Sequence, residues 1–128
     1  MKRFLGIDYG AKRIGLATGD DETKLAQPLA TVGAAELLPT IEREGPFAAI
    51  VVGLPRSLDG AETPQTLAVR RFTDDQLGAL EAEVVFQDEA GTSSVAEERL
   101  RQSGRPYQRE QIDAEAAALI LQDYLDAL

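Results

Sequence analysis

The chain contains no histidine and no cysteine, and its 128 residues include only 3 Tyr and 4 Phe. Each absence removes chemistry. Without His there is no Ser-His-Asp or Cys-His catalysis and no histidine-ligated zinc. Without Cys there is no disulfide framework, no thiolate nucleophile and no iron–sulfur cluster. No apolar run approaches the ~18 residues that span a bilayer. An acid at position 8 comes too early for a signal-peptide core, so a cytoplasmic location and no membrane partner are expected. What remains as a general base is Asp, Glu, Lys or a metal-bound hydroxide. Any bound metal must sit on oxygen ligands, which points to Mg²⁺, Mn²⁺ or Ca²⁺.

What the chain has in excess is negative charge. Thirteen Lys and Arg stand against 22 Asp and Glu, a formal net charge of −9. Such a balance repels a polyanion at long range and argues against a nucleic-acid partner. The length suits a single domain over residues 1–128. At 44% hydrophobic residues, a core can form without metal or disulfide staples.

The patterning reads as an α/β chain. Residues 2–9 form a strand, residues 10–12 a turn and residues 13–18 a second strand, which together make a hairpin. Residues 25–32 are a weaker third strand, because Pro28 cannot donate to a ladder. A helix spans 34–44, stopped by Gly45, with Pro39 placed in about its first turn. Residues 47–53 are a continuous apolar run, as in a strand covered on both faces. Thr63-Pro64 starts a helix running to about Leu80, with Val69, Phe72, Leu77 and Leu80 turned inward. Residues 83–88 are a strand. Ser94 and Glu97 form a capping-box pattern for a helix ending near Gly104. Residues 105–110 are a loop and the last helix spans 113–127. The expected fold is a mixed five-stranded sheet, three antiparallel N-terminal strands plus two parallel ones, flanked by helices.

Most acids fall in turns or on solvated faces. Three places differ. Asp8 lies near the end of the first strand and shares a face with Phe4 and Gly6; its plain alternative is an Asx turn before Gly10. Asp88 and Glu89 end a strand where α/β sheets build sites; the alternative is a strand end in solvent. Asp113 heads a helix stripe continued by Ala117, Ile120 and Tyr124; the alternative is an N-cap. Carboxylates gathered without a partner repel one another. Two divalent cations ~4 Å apart would relieve that cost and could activate a water against a phosphodiester.

The blocks around these acids are recognisable. Gly6-Ile7-Asp8-Tyr9-Gly10-Ala11-Lys12-Arg13-Ile14-Gly15-Leu16-Ala17 resembles the opening signature of the YqgF/RuvX family, candidate Holliday-junction resolvases with the RNase H-like fold. Val51-Val52-Gly53-Leu54-Pro55 followed by Leu58-Asp59-Gly60, Asp88-Glu89 followed by Thr92-Ser93, and Ile112-Asp113-Ala114-Glu115-Ala116-Ala117 running on to Leu121-Gln122-Asp123-Tyr124-Leu125 resemble its later motifs. The resemblance covers essentially the whole chain. It implies a nuclease dependent on Mg²⁺ or Mn²⁺, a family linked to junction resolution and to maturation of the 5′ end of 16S ribosomal RNA. The family's catalytic and metal-binding acids correspond to Asp8, Glu89 and Asp113. Asp88 is the alternative to Glu89, because neighbouring strand residues point to opposite faces. The family usually has Arg after the acidic pair, where this chain has Ala90. That departure puts one substrate contact in doubt.

Ten of the 13 basic residues are Arg, which suits bidentate phosphate contacts. Lys12, Arg13 and Arg56 are the expected substrate-binding residues, whereas Arg99 and Arg101 are expected to pair with Glu97 and Glu98. The partner is then nucleic acid, RNA or DNA, with a homodimer left open. A non-catalytic RNase H-like nucleic-acid-binding module is the alternative. Gly6-Ile7-Asp8-Tyr9-Gly10 also looks like the first phosphate motif of actin-like ATPases. Those pair two related domains around the nucleotide, and this length suits only one.

Overall fold

The computed structural model describes residues 1–89 and 92–128 of the chain. Five strands form one sheet: β1 (Arg3–Tyr9), β2 (Ile14–Asp20), β3 (Gln27–Val32), β4 (Ala49–Pro55) and β5 (Glu83–Glu89). Their order is β3-β2-β1-β4-β5, antiparallel from β3 to β1 and parallel from β1 to β5. The expected mixed sheet is therefore present. Pro28 does lie within β3, on the edge of the sheet, where a missing N–H costs nothing; the ladder bulges beside it, between Leu16 and Ala17.

Helices cover both faces. Helices α1 (Ala34–Glu44) and α2 (Pro64–Phe72) lie on one side. Leu37, Ile41, Val69 and Phe72 join Leu5, Ile7, Ile50 and Val52 there in one buried cluster. Helices α3 (Thr92–Gln102) and α4 (Arg109–Asp126) complete the chain. α4 lies on the second face, where Ala117, Ile120, Leu121 and Leu125 pack against Phe4, Ala17, Ala49 and Val51. Among the described residues no helix is long and apolar enough to cross a membrane.

Four details of the helices depart from the sequence reading. Pro39 is the sixth residue of α1, beyond the first turn, in a helix that starts at Ala34. α2 stops at Phe72 and continues as a single π-helical turn, Thr73–Leu77, which still buries Leu77. α3 begins at Thr92, so Ser94 lies inside the helix and is not its N-cap. α4 begins four residues before Asp113, where the Gln108 N–H donates to Gln111 Oε1 at 2.7 Å and the Gln111 N–H donates to the Gln108 carbonyl at 3.0 Å. Asp113 is therefore a second-turn residue, and the N-cap alternative for it is excluded. The signal missed was glutamine standing in for the usual Ser, Thr, Asp or Asn at a cap.

Glycines on the sheet set how closely α4 approaches, and two of them leave the least room. A Cβ on Gly15 would fall 2.0 Å from the Asp113 carbonyl oxygen. A Cβ on Gly53 would fall 2.4 Å from the Ile120 Cδ1. The second clash involves the tip of a side chain and can relax; the first involves helix backbone and cannot. Gly15→Ala should therefore lift the start of α4 and cost about 3 kcal/mol, the upper end for overpacking. Urea unfolding measures it, and a loss below about 1 kcal/mol would mean that the helix is not seated on this glycine.

Candidate active site

The site is built at the C-terminal ends of the parallel strands. In the ladder Asp8 stands opposite Gly15, and Ile7 is in register with Val52. Phe4 packs on the α4 side, so alternation along β1 puts Asp8 on that side too. On β5, Val85 belongs to the α4-side cluster and Val84 to the opposite one. Glu89 therefore shares the face of Asp8, and Asp88 points away. The Asp88 carboxylate instead accepts a hydrogen bond from Arg56 Nε at 3.0 Å, with 67% of its side chain exposed.

Asp113 reaches the same corner from α4. Its Oδ2 accepts a hydrogen bond from Arg13 Nε at 2.6 Å. Arg13 closes the turn that follows β1, where the Gly10 N–H donates to the Arg13 carbonyl at 2.9 Å. The Thr31 hydroxyl donates to the Glu110 carbonyl and ties the first turn of α4 to β3. At the end of β4, Thr66 donates to the Pro55 carbonyl, and Thr63 and Thr66 form the cap of α2. The Arg56 N–H extends the ladder to the Glu89 carbonyl at 3.2 Å.

Burial and crowding act on the acids. Burial, reinforced by the negative charge of Asp113, pushes the Asp8 carboxyl up to about 6. Burial, then the charges of Asp8 and Asp123, pushes Glu89 up to about 7. Asp113 holds the Arg13 guanidinium above its usual range, chiefly through their hydrogen bond. Asp8, Glu89 and Asp113 thus share one corner of the molecule. Among the described residues, however, no three acidic groups stand close enough together to hold one ion. Asp123 was not singled out by the sequence, and its spacing from Asp113 does not put the two on one helix face, so no local signal could have raised it.

The basic residues separate. Arg13 is at the site, bonded to Asp113. Lys12 is exposed on the adjoining turn. Arg56 leaves the same end of the sheet but bonds Asp88 and the Gly60 carbonyl. Arg101 does pair with Glu97 and Glu98, at 3.5 and 3.1 Å, whereas Arg99 reaches across to Glu115 on α4 at 3.3 Å. Ala90 lies outside the described residues.

The family model for RuvX, Holliday junction resolvase, matches residues 2–127. The chain belongs to this family. A Chloroflexus aggregans relative is 42% identical, across 97% of this chain and 93% of its own. A relative from Anaeromyxobacter dehalogenans is 43% identical, across 97% and 96%. Both are named as candidate pre-16S rRNA nucleases. Among solved structures, Thermus thermophilus RuvC in complex with Holliday junction substrate superposes with a TM-score of 0.53, at 18% identity over 99% of this chain and 95% of that one. Fowlpox virus resolvase with Holliday junction DNA gives 0.62, at 10% identity over 98% and 97%. These likenesses identify the RNase H-like fold. Membership of the RuvX family makes the chain a nuclease, a hydrolase of phosphodiester bonds.

The raised carboxyls predict a pH dependence. An acid whose folded pKa exceeds its unfolded value destabilises the fold where it is charged, so stability is lost as the pH rises through the folded pKa. For Asp8 that window runs from about 4, its ordinary value, to about 6. In metal-free protein at pH 8, Asp8→Asn should therefore be more stable than wild type, by about 1–2 kcal/mol after discounting for partial solvation. The gain should shrink through pH 6 and be absent below about pH 4. Urea unfolding across that range reads it; a gain independent of pH would show that Asp8 is not strained by charge.

Proposed function

We propose that this RuvX-family chain is a divalent-metal-dependent ribonuclease acting at the 5′ end of precursor 16S ribosomal RNA, with Asp8, Glu89 and Asp113 as metal-binding and catalytic acids. The observation that carries this reading is the corner itself. Two carboxyls on one sheet face are pushed up by burial and by neighbouring negative charge, and a third stands beside them on α4. The donors are all carboxylate oxygens, the set that Mg²⁺ or Mn²⁺ prefers. A cation there would remove the repulsion that raises Asp8 and Glu89.

When bound, the metal would supply Lewis-acid activation of a water and of the phosphoryl oxygen. The chain's own groups do the rest. Burial of Asp8 and Glu89 strengthens their electrostatic hold on whatever enters. Lys12 and Arg13 stand on the turn next to Asp8 and would take phosphate oxygens. Arg56 would do so from the β4 end after release from Asp88. The net charge of −9 then requires binding to be local and arginine-led. RNA is favoured over a junction because relatives above 40% identity carry the ribosomal name. The junction-bound neighbours share only the fold. Such an RNA would be met in the cytoplasm. Symmetric cutting of a junction would call for a homodimer.

The test is a cleavage panel with purified protein: RNA carrying the 16S 5′ leader, single-stranded DNA and a four-way junction, each with Mg²⁺, Mn²⁺ or EDTA. Metal-dependent cleavage of the RNA is expected. Losing an outer partner of a metal ligand costs ~10- to 100-fold, so Asp8→Asn, Glu89→Gln and Asp113→Asn should each lose about 100-fold or more. Asp88→Asn should retain most activity. Full activity in Glu89→Gln with loss in Asp88→Asn would exchange the two roles, and cleavage in EDTA would remove metal from the mechanism.

A further inference from the structure

Arg13 and Asp113 lie 100 residues apart in sequence and meet at 2.6 Å. Both backbones are held. Arg13 is in a closed turn beside the site strand. Asp113 is in the helical turn whose carbonyl lies against Gly15. The side chains are only 32% and 19% exposed. This pair therefore differs from the looser bridges on α3, where both partners are largely in solvent. An Nε–H already bonded to a carboxylate is not free for phosphate. While Arg13 holds Asp113, no three acids converge on a common point among the described residues.

We infer that Arg13 is a built-in counter-cation. It holds the Asp113 carboxylate in the metal-free protein, yields it when a divalent cation binds, and thereby sets the metal affinity of the site. The inference rests on the reading of Asp113 as a metal ligand. Its chemistry is an exchange. Asp113 Oδ2 is already bonded to Arg13 Nε, so a cation that takes this oxygen competes with the guanidinium for it. Displacement leaves the planar, always-charged fork of Arg13 beside the loaded site, with its donors open to a phosphate. Metal loading would thus prepare the substrate contact. In this scheme Arg13 is a positioning residue in the free protein, and a phosphate ligand only afterwards.

The experiment is Mn²⁺ titration of the full chain without nucleic acid, following free Mn²⁺ by electron paramagnetic resonance. Wild type is compared with Arg13→Gln and Arg13→Lys, and circular dichroism checks that each is folded. Arg13→Gln should bind Mn²⁺ about three- to ten-fold more tightly, the range that loss of a modest ion pair allows. Arg13→Lys keeps the charge and loses the Nε–H; it should fall between the two. In an Asp113→Asn background, Arg13→Gln should no longer tighten binding. Equal or weaker binding by Arg13→Gln overturns the inference. So does Arg13→Lys binding as wild type does, since simple charge screening would then account for the gain. If Arg13→Gln fails to fold, Arg13→Lys decides alone. Absence of Mn²⁺ binding in both wild type and Arg13→Gln overturns the metal reading itself, and this inference with it.

Discussion

Helix α4 rests on the sheet with its backbone in contact at Gly15, and the site depends on that approach. Where Gly15 has no side chain, the carbonyl of Asp113 fills the space. Because the helix sits this low, the Asp113 side chain emerges level with the end of β1 and not above it. The same closeness lets alanines at 114, 116, 117 and 118 be buried, since small side chains suit a helix pressed between the sheet and α3. The Thr31 and Arg13 bonds to the first turns of α4 then fix its rotation. Seating and rotation together choose which acid of the helix faces the corner.

The corner is electrostatically unfinished. Asp8 is pushed up by burial and by Asp113, and Glu89 by burial and by the charges of Asp8 and Asp123. Arg13 offsets one of these charges, that of Asp113. Groups in this condition are poised for a cation, and strain of this kind is what functional sites carry at the expense of stability. A surface with a net charge of −9 does not hinder the arrangement. It confines attraction for a polyanion to the few places where arginine or bound metal reverses the sign, so that capture and chemistry occur together.

Much of the fold was legible locally. The β1–β2 hairpin, the α1 helix and its Gly45 stop, the buried β4 run and the Thr63-Pro64 start of α2 all follow from short-range patterns. The β3 strand is present as expected, and Pro28 is tolerated there because the strand is an edge. Errors fell where local signals were weak or were overridden. Gln108 and Gln111 capped α4 where the usual cap residues were missing. The π-helical turn after Phe72 had no sequence signal at all. In the site, the resemblance put Glu89 ahead of Asp88; Val84 and Val85 pack on opposite faces of β5, so the two acids leave the strand on opposite faces as well.

The sequence by itself determined the kind of chemistry open to this protein. Lacking His and Cys, it is left with Asp, Glu, Lys or a metal-bound hydroxide as a base, and its motif blocks announced the family and the acids to watch. Only the tertiary structure decided how those acids are held. Arg13 meets Asp113 across 100 residues, Arg56 turns to Asp88, and Asp123 comes within electrostatic reach of Glu89. Residue type and periodicity specify which face a side chain takes within one element. The partner it finds depends on how elements distant in sequence are packed, and here that packing is set by α4 lying directly on the glycines of the sheet.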